Sequence, residues 1–157
     1  MSEQVNFDKD FVKHFPTEIS FSEIVDEMST NLIAKDLVTP TYPQAVKERE
    51  LVFPTGLPTE PIGVAIPHTD PNYVKQNAIS VGILHEPITM TVMGTEDELV
   101  DVKIIFLLSL AQSNKQLNIL QKIMSIVQDQ NLLEEFLTKS DEFIVKEVKK
   151  SILEESS

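Results

Sequence analysis

Apolar residues recur at helical spacing early in the chain, where Phe21, Ile24, Val25, Met28, Leu32 and Ile33 share one face and Ser20 with Glu23 has the spacing of a capping box. This predicts an amphipathic helix with a core-facing side, ended by Thr39-Pro40. Residues 42–50 have the composition of a second, short helix, carrying Lys47, Glu48, Arg49 and Glu50, and Phe53-Pro54-Thr55-Gly56 turns the chain out of it. Past residue 60 the pattern changes to short apolar runs bounded by proline, glycine and aspartate. Residues 61–66, 78–84 and 88–92 read as strands. The run 102–110 is nearly all apolar, as expected of a central strand covered on both faces. Two further helices follow. Ser113 precedes a stripe of Leu117, Leu120, Met124 and Val127, and Ser140 precedes one containing Phe143, Ile144 and Val148. Strands flanked by amphipathic helices predict an α/β architecture of packed layers.

With 157 residues, 41% of them hydrophobic, the chain suffices for one domain, 1–157, with a real core. It shows no repeat, low-complexity tract or Gly/Ser-rich linker. Cysteine is absent, which removes disulfides, thiolate metal sites and cysteine nucleophiles, and any thiol chemistry must come from a partner. The formal charge of −12 opposes binding to a nucleic-acid backbone and suits a basic protein partner or simple solubility. No stretch approaches the roughly 20 apolar residues of a membrane span, and the N-terminus lacks the features of a signal peptide. A cytoplasmic protein with no direct membrane insertion is expected.

The candidate chemistry lies in Pro61-Ile62-Gly63-Val64-Ala65-Ile66-Pro67-His68-Thr69-Asp70, an apolar strand that stops at a proline and presents one histidine. A neutral imidazole has one ring nitrogen with a free lone pair while the other is fixed by a hydrogen bond, so His68 is a candidate nucleophile. The same residue also fits a satisfied polar group at a strand end. His14, in a polar N-terminal stretch, and His85, beside Glu86-Pro87, read as solvated.

Phosphate loops of the GxxxxGK[ST] type, GxGxxG, HExxH and GxSxG are all absent, so nucleotide, zinc and serine-hydrolase chemistry have no support. His68 with Asp70 is too small a set for a metal, and neither metal nor cofactor is expected. A phosphoryl group suits a lone histidine: transfer needs in-line alignment and hydrogen-bond donors for the equatorial oxygens. Arg49, Thr69 and Gln116 are the candidate donors. Each also has an ordinary structural role available, Arg49 on a charged helix face, Thr69 in a turn and Gln116 in a capping box with Ser113.

The run PIGVAIPHTD resembles the phosphorylation-site signature of the fructose/mannitol-type (type 2) enzyme IIA domains of the bacterial phosphoenolpyruvate-dependent sugar phosphotransferase system. The similarity extends through Arg49-Glu50, Phe53-Pro54-Thr55-Gly56, residues 102–110 and Gln116-Leu117-Asn118-Ile119-Leu120, so that residues of about 20–150 follow the family pattern in order. The resemblance implies a single α/β domain with a mixed β-sheet sandwiched between helices. It implies that His68 accepts a phosphoryl group from the phosphocarrier HPr and passes it to enzyme IIB, which serves the membrane component enzyme IIC, with phosphoenolpyruvate as the ultimate donor. Arg49 falls on the family's active-site arginine. Mannitol- and fructose-type members usually carry a second histidine where this chain has Gln116, whereas galactitol-specific members resemble it there, so galactitol or a related polyol is the expected substrate of the system. A regulatory module similar to the nitrogen-type enzyme IIA proteins is the alternative, and both readings use His68.

Overall fold

Ser20 and Glu23 close the start of the first long helix as their spacing predicts: the Ser20 hydroxyl accepts from the Glu23 backbone N–H at 3.1 Å, and the Glu23 carboxylate accepts from the Ser20 N–H at 3.2 Å. The computed structural model describes residues 5–111 and 113–153, with the side chains of 113–117 and 153 left aside. Helix α1 (Phe21–Ala34) buries Ile24, Val25, Met28 and Leu32. It ends before Thr39-Pro40, because Asp36 takes a left-handed conformation (φ 59°) and the Leu37 N–H returns to the Leu32 carbonyl. Helix α2 (Tyr42–Val52) starts with proline in its first turn, where a missing N–H costs nothing.

Five strands form the sheet: β1 (Val12–Phe15), β2 (Gly56–Leu57), β3 (Gly63–Ala65), β4 (Ala78–Thr91) and β5 (Leu99–Ser109). Their order is β1-β4-β5-β3-β2, which puts β5 at the centre, as its nearly all-apolar run predicts. The sheet is mixed. β1 runs parallel to β4 and β3 parallel to β5, whereas the β4–β5 and β2–β3 pairs are antiparallel. The two runs expected near 78–84 and 88–92 are one strand with an irregularity between Ile83 and Ile88.

Helices cover both faces. On one, Met28 of α1 lies over Gly82, where a Cβ would come within 2.9 Å of the methionine sulfur. On the other, Phe106 of β5 packs at 6.4 Å against Phe136 of α4 (Gln130–Thr138), which meets Phe143 of α5 (Asp141–Leu153) at 6.3 Å. Helix α3 (Ser113–Val127) turns Ile119, Ile123, Ile126 and Val127 into the core. Leu120 and Met124 pack at the margin, so the buried stripe is rotated toward the isoleucines.

Three elements escape the sequence pattern. β1 reads Val-Lys-His-Phe, too short for an alternation to register, β2 is two residues following an expected turn, and α4 buries only Leu133 and Phe136. Through Phe7, Phe11, Val12 and Phe15 the core begins well before residue 20.

Candidate functional site

His68 is held by the backbone on either side of a short strand. Gly63 lets β3 approach β5 closely, since a Cβ there would lie 2.2 Å from the Asp101 carbonyl oxygen, and the register shifts at this point. Beyond Ala65 the chain leaves the regular ladder but keeps its partners. The Ile66 N–H donates to the Thr55 carbonyl at 3.3 Å on one side, and the Pro67 carbonyl accepts from the Leu108 N–H at 3.0 Å on the other. Proline suits this position because its nitrogen has no proton to satisfy. His68 then emerges where the parallel strands β3 and β5 end, the edge at which open α/β sheets place their ligands.

The half-buried His68 ring has its Nδ1 atom 2.9 Å from the Ile66 carbonyl oxygen. A carbonyl only accepts, so Nδ1 carries the proton and the neutral ring has its lone pair on Nε2. Burial pushes the imidazole pKa below the usual 6.5, and the Arg49 charge pushes the same way, against upward pulls from the Ile66 hydrogen bond and Asp70. The ring is thereby kept in its nucleophilic form.

Arg49, in the last turn of α2, donates from Nη1 to Asp70 Oδ1 at 3.3 Å and lies with its guanidinium 4.8 Å from the centre of the Phe53 ring. Among the described residues Asp70 is its sole hydrogen-bond partner, which leaves most of its five donors for an anion. Helix α2 is itself tied to the end of β5: the buried Tyr42 hydroxyl donates to the Leu108 carbonyl at 2.9 Å and accepts from Ser109 at 2.9 Å. Arg49 and the strand that anchors Pro67 are thus one mechanical unit.

Thr69 is buried beside His68. Gln116 falls in the first turns of α3, which begins just past the end of β5, but its side chain lies outside the described residues. The structure therefore brings the Arg49 charge to His68, through its bond to Asp70, while Thr69 lies beside His68 as its buried chain neighbour. Asp70 faces Arg49 instead of pairing with His68 around a metal, and among the described residues no group of three or more candidate ligands could hold one. The remaining histidines lie elsewhere. His14 is on β1 with Nε2 2.6 Å from Asp141 Oδ1, and it shares with His85 and Lys103 an open cleft of about 230 Å³ that does not include His68.

The carbonyls of Ile66 and Thr55 and the carboxylate of Asp70 were not among the expected site residues. All three lie in runs that carry the resemblance, Thr55 in Phe53-Pro54-Thr55-Gly56 and Ile66 and Asp70 in PIGVAIPHTD, but their contacts with one another have no local signature.

The family described as "Phosphoenolpyruvate-dependent sugar phosphotransferase system, EIIA 2" matches residues 6–151. The chain belongs to this family. The EIIA protein is 29% identical over 130 residues, 82% of its length and 85% of the relative's, to the "PTS system galactitol-specific EIIA component" of Escherichia coli (strain K12). Its fold is similar to that of the Escherichia coli mannitol enzyme IIA solved in complex with phosphorylated enzyme IIB, with a TM-score of 0.73 and 17% identity over 95% of this chain and 98% of that one. The mannitol-specific cryptic phosphotransferase enzyme IIA of Escherichia coli is also similar, with a TM-score of 0.69 and 22% identity over 90% and 93% of the two chains. These likenesses establish the mixed-sheet enzyme IIA fold. No described helix of the EIIA protein is long and apolar enough to cross a membrane.

Proposed function

We propose that this EIIA protein is a cytoplasmic phosphohistidine carrier that takes a phosphoryl group from phospho-HPr on His68 and delivers it to an enzyme IIB serving uptake of galactitol or a related polyol. The observation that carries this reading is the His68 ring, with Nδ1 spent on the Ile66 carbonyl, Nε2 left unprotonated, and the Arg49 charge close enough to act on the ring. In the transfer, the Nε2 lone pair attacks phosphorus as the P–N bond to the donor imidazole breaks, and the donor nitrogen recovers the electron pair. The step is reversible. On delivery the phospho-His68 bond breaks in turn as the acceptor on enzyme IIB, expected to be a cysteine thiolate, bonds to phosphorus. Arg49 supplies charge for the equatorial oxygens, with Thr69 and Gln116 as further donors. No metal or organic cofactor enters this sequence, and phosphoenolpyruvate is the ultimate donor. The 29% identity to a galactitol-specific relative and the glutamine at position 116 support the choice of polyol system.

The test is intact-mass analysis after incubation with phosphoenolpyruvate, enzyme I and HPr, beside His68→Ala and an acid-treated aliquot, followed by addition of a galactitol-type enzyme IIB. One acid-labile phosphoryl adduct, absent from His68→Ala and discharged by enzyme IIB, is expected. An adduct on His68→Ala overturns the site, and an adduct that enzyme IIB does not discharge overturns the transport role in favour of a regulatory one.

A further inference from the structure

We propose that Glu50 is a positioning residue for His68, acting through Thr55 and Ile66; the proposal rests on His68 being the phosphoryl acceptor. A continuous line of hydrogen bonds joins them. Glu50 Oε2 accepts from the Thr55 N–H at 2.9 Å and Oε1 accepts from the Thr55 hydroxyl at 2.8 Å. The Thr55 carbonyl accepts from the Ile66 N–H at 3.3 Å, and the Ile66 carbonyl accepts from His68 Nδ1 at 2.9 Å.

The geometry exceeds what a helix end requires. Both carboxylate oxygens are committed to one residue, which fixes the orientation of Thr55 as well as its place, and Thr55 is only 4% exposed. Arg49, the preceding residue of the same helical turn, bonds Asp70 on the far side of His68. The last turn of α2 thus holds the histidine-bearing segment at two points, before the ring through Thr55 and Ile66 and after it at Asp70. Burial works against the Glu50 charge and pushes its carboxyl pKa up, while the two Thr55 bonds pull it down. A partly buried carboxylate held at such a cost, with its bonds aimed at the backbone that carries the nucleophile, serves placement of that backbone.

The ring itself reports the effect. Two-bond nitrogen–proton correlation spectra of unphosphorylated, ¹⁵N-labelled protein, recorded above the titration range of His68, give its tautomer directly. The wild type is expected to show a single neutral tautomer with the proton on Nδ1. Glu50→Ala is expected to populate both tautomers and to lose roughly tenfold in phosphoryl acceptance at saturating phospho-HPr. Glu50→Gln, of equal size and with one accepting oxygen, should fall between, and Thr55→Ser, which preserves both donors to Glu50, should retain the single Nδ1–H tautomer whatever its rate of acceptance. An unchanged tautomer and rate in a folded Glu50→Ala protein, or in Glu50→Gln if the alanine variant does not fold, overturns the proposal. A mixture of tautomers in Thr55→Ser equal to that in Glu50→Ala overturns it too, since it would assign the effect to packing. Failure of the wild type to take up phosphate sinks the carrier reading alone, because the tautomer is read without phosphorylation.

Discussion

His68 Nδ1 lies 2.9 Å from the carbonyl oxygen of Ile66, a residue whose own N–H is held by Thr55 across the β2–β3 edge. The ring nitrogen left over is Nε2, so the phosphoryl group is predicted to reside there. Phosphorus–nitrogen couplings in the phosphorylated, ¹⁵N-labelled protein identify the atom, and coupling to Nδ1 contradicts the assignment. His68→Ala should form no adduct. Because the side chain is half-buried and its ring makes this one hydrogen bond among the described residues, its removal should cost about 1 kcal/mol, a fall in Tm of a few degrees by calorimetry.

The titration of His68 sets a pH window. Its folded pKa lies below the 6.5 of a free imidazole, chiefly through burial. Between these two values the unfolded chain binds a proton that the native protein does not, so stability rises with pH across the window. The contribution is complete above pH 6.5 and declines as pH falls through the folded value. Histidine NMR should place the midpoint under 6.5, and phosphoryl acceptance should hold level from pH 8 to 6.5 when assayed with a fixed pool of phospho-HPr. A midpoint above 6.5 would contradict the burial argument.

Arg49→Gln removes the guanidinium beside His68 while leaving a side chain that can still meet Asp70. Acceptance should slow by about a hundredfold without ceasing, as for loss of one charged donor to a developing anion. The same variant should raise the His68 midpoint, because Arg49 pushes it down in the wild type. Arg49→Lys should recover little, since an ammonium has neither the planar fork nor the stacking on Phe53. Full activity in Arg49→Gln would remove Arg49 from the site.

Much of this arrangement was legible in the chain. The capping box at Ser20, the charged second helix and the nearly all-apolar run of β5 each have a local signature, and local signatures survive without tertiary context. His68 was legible for the same reason, as the residue after a proline that ends a strand. What the sequence withholds is non-local. Thr55 bonds Ile66, Leu108 bonds Pro67 and Asp70 meets Arg49 only because β2, β3 and β5 lie side by side, and no spacing encodes that order. Strand β1 and helix α4 were missed because each buries just two side chains, leaving too little periodicity to read. Of the stripe expected on α3, Val127 is fully buried while Leu120 and Met124 lie at the margin and the packing adds Ile119, Ile123 and Ile126; the side chain of Leu117 lies outside the described residues.

Gly63 links stability to the site. A methyl group there meets the Asp101 backbone oxygen at 2.2 Å and the Val100 side chain at 2.9 Å, and backbone cannot yield as a flexible side chain can. Gly63→Ala should therefore separate β3 from β5 and cost about 1–3 kcal/mol in denaturant unfolding. The displaced strand carries His68, so acceptance should drop as well. A variant as stable as the wild type would show that the bulge accommodates a side chain.

Beside Arg49 the end of α2 exposes Leu51 at 85%, Val52 at 67% and Phe53 at 58%, an apolar ledge over a groove of about 390 Å³ whose far wall includes Glu96. Asp97 and Glu98, both exposed, follow Glu96 in the chain, which as a whole carries −12. An exposed apolar ledge with an acidic residue across its groove suits a partner with an apolar contact face bordered by basic groups. Leu51→Ser is predicted to raise the phospho-HPr concentration for half-maximal transfer about fivefold to thirtyfold, the effect of removing 1–2 kcal/mol of contact. The saturated rate and Tm should stay unchanged, because the Leu51 side chain is almost fully solvent-exposed and makes no hydrogen bond to the His68 segment among the described residues. Glu96→Lys should have a similar effect at low ionic strength that fades near 1 M salt, where the screening length is about 3 Å. A Leu51→Ser protein that loses saturated rate with its half-maximal concentration unaltered would move the ledge from docking to chemistry and contradict the prediction.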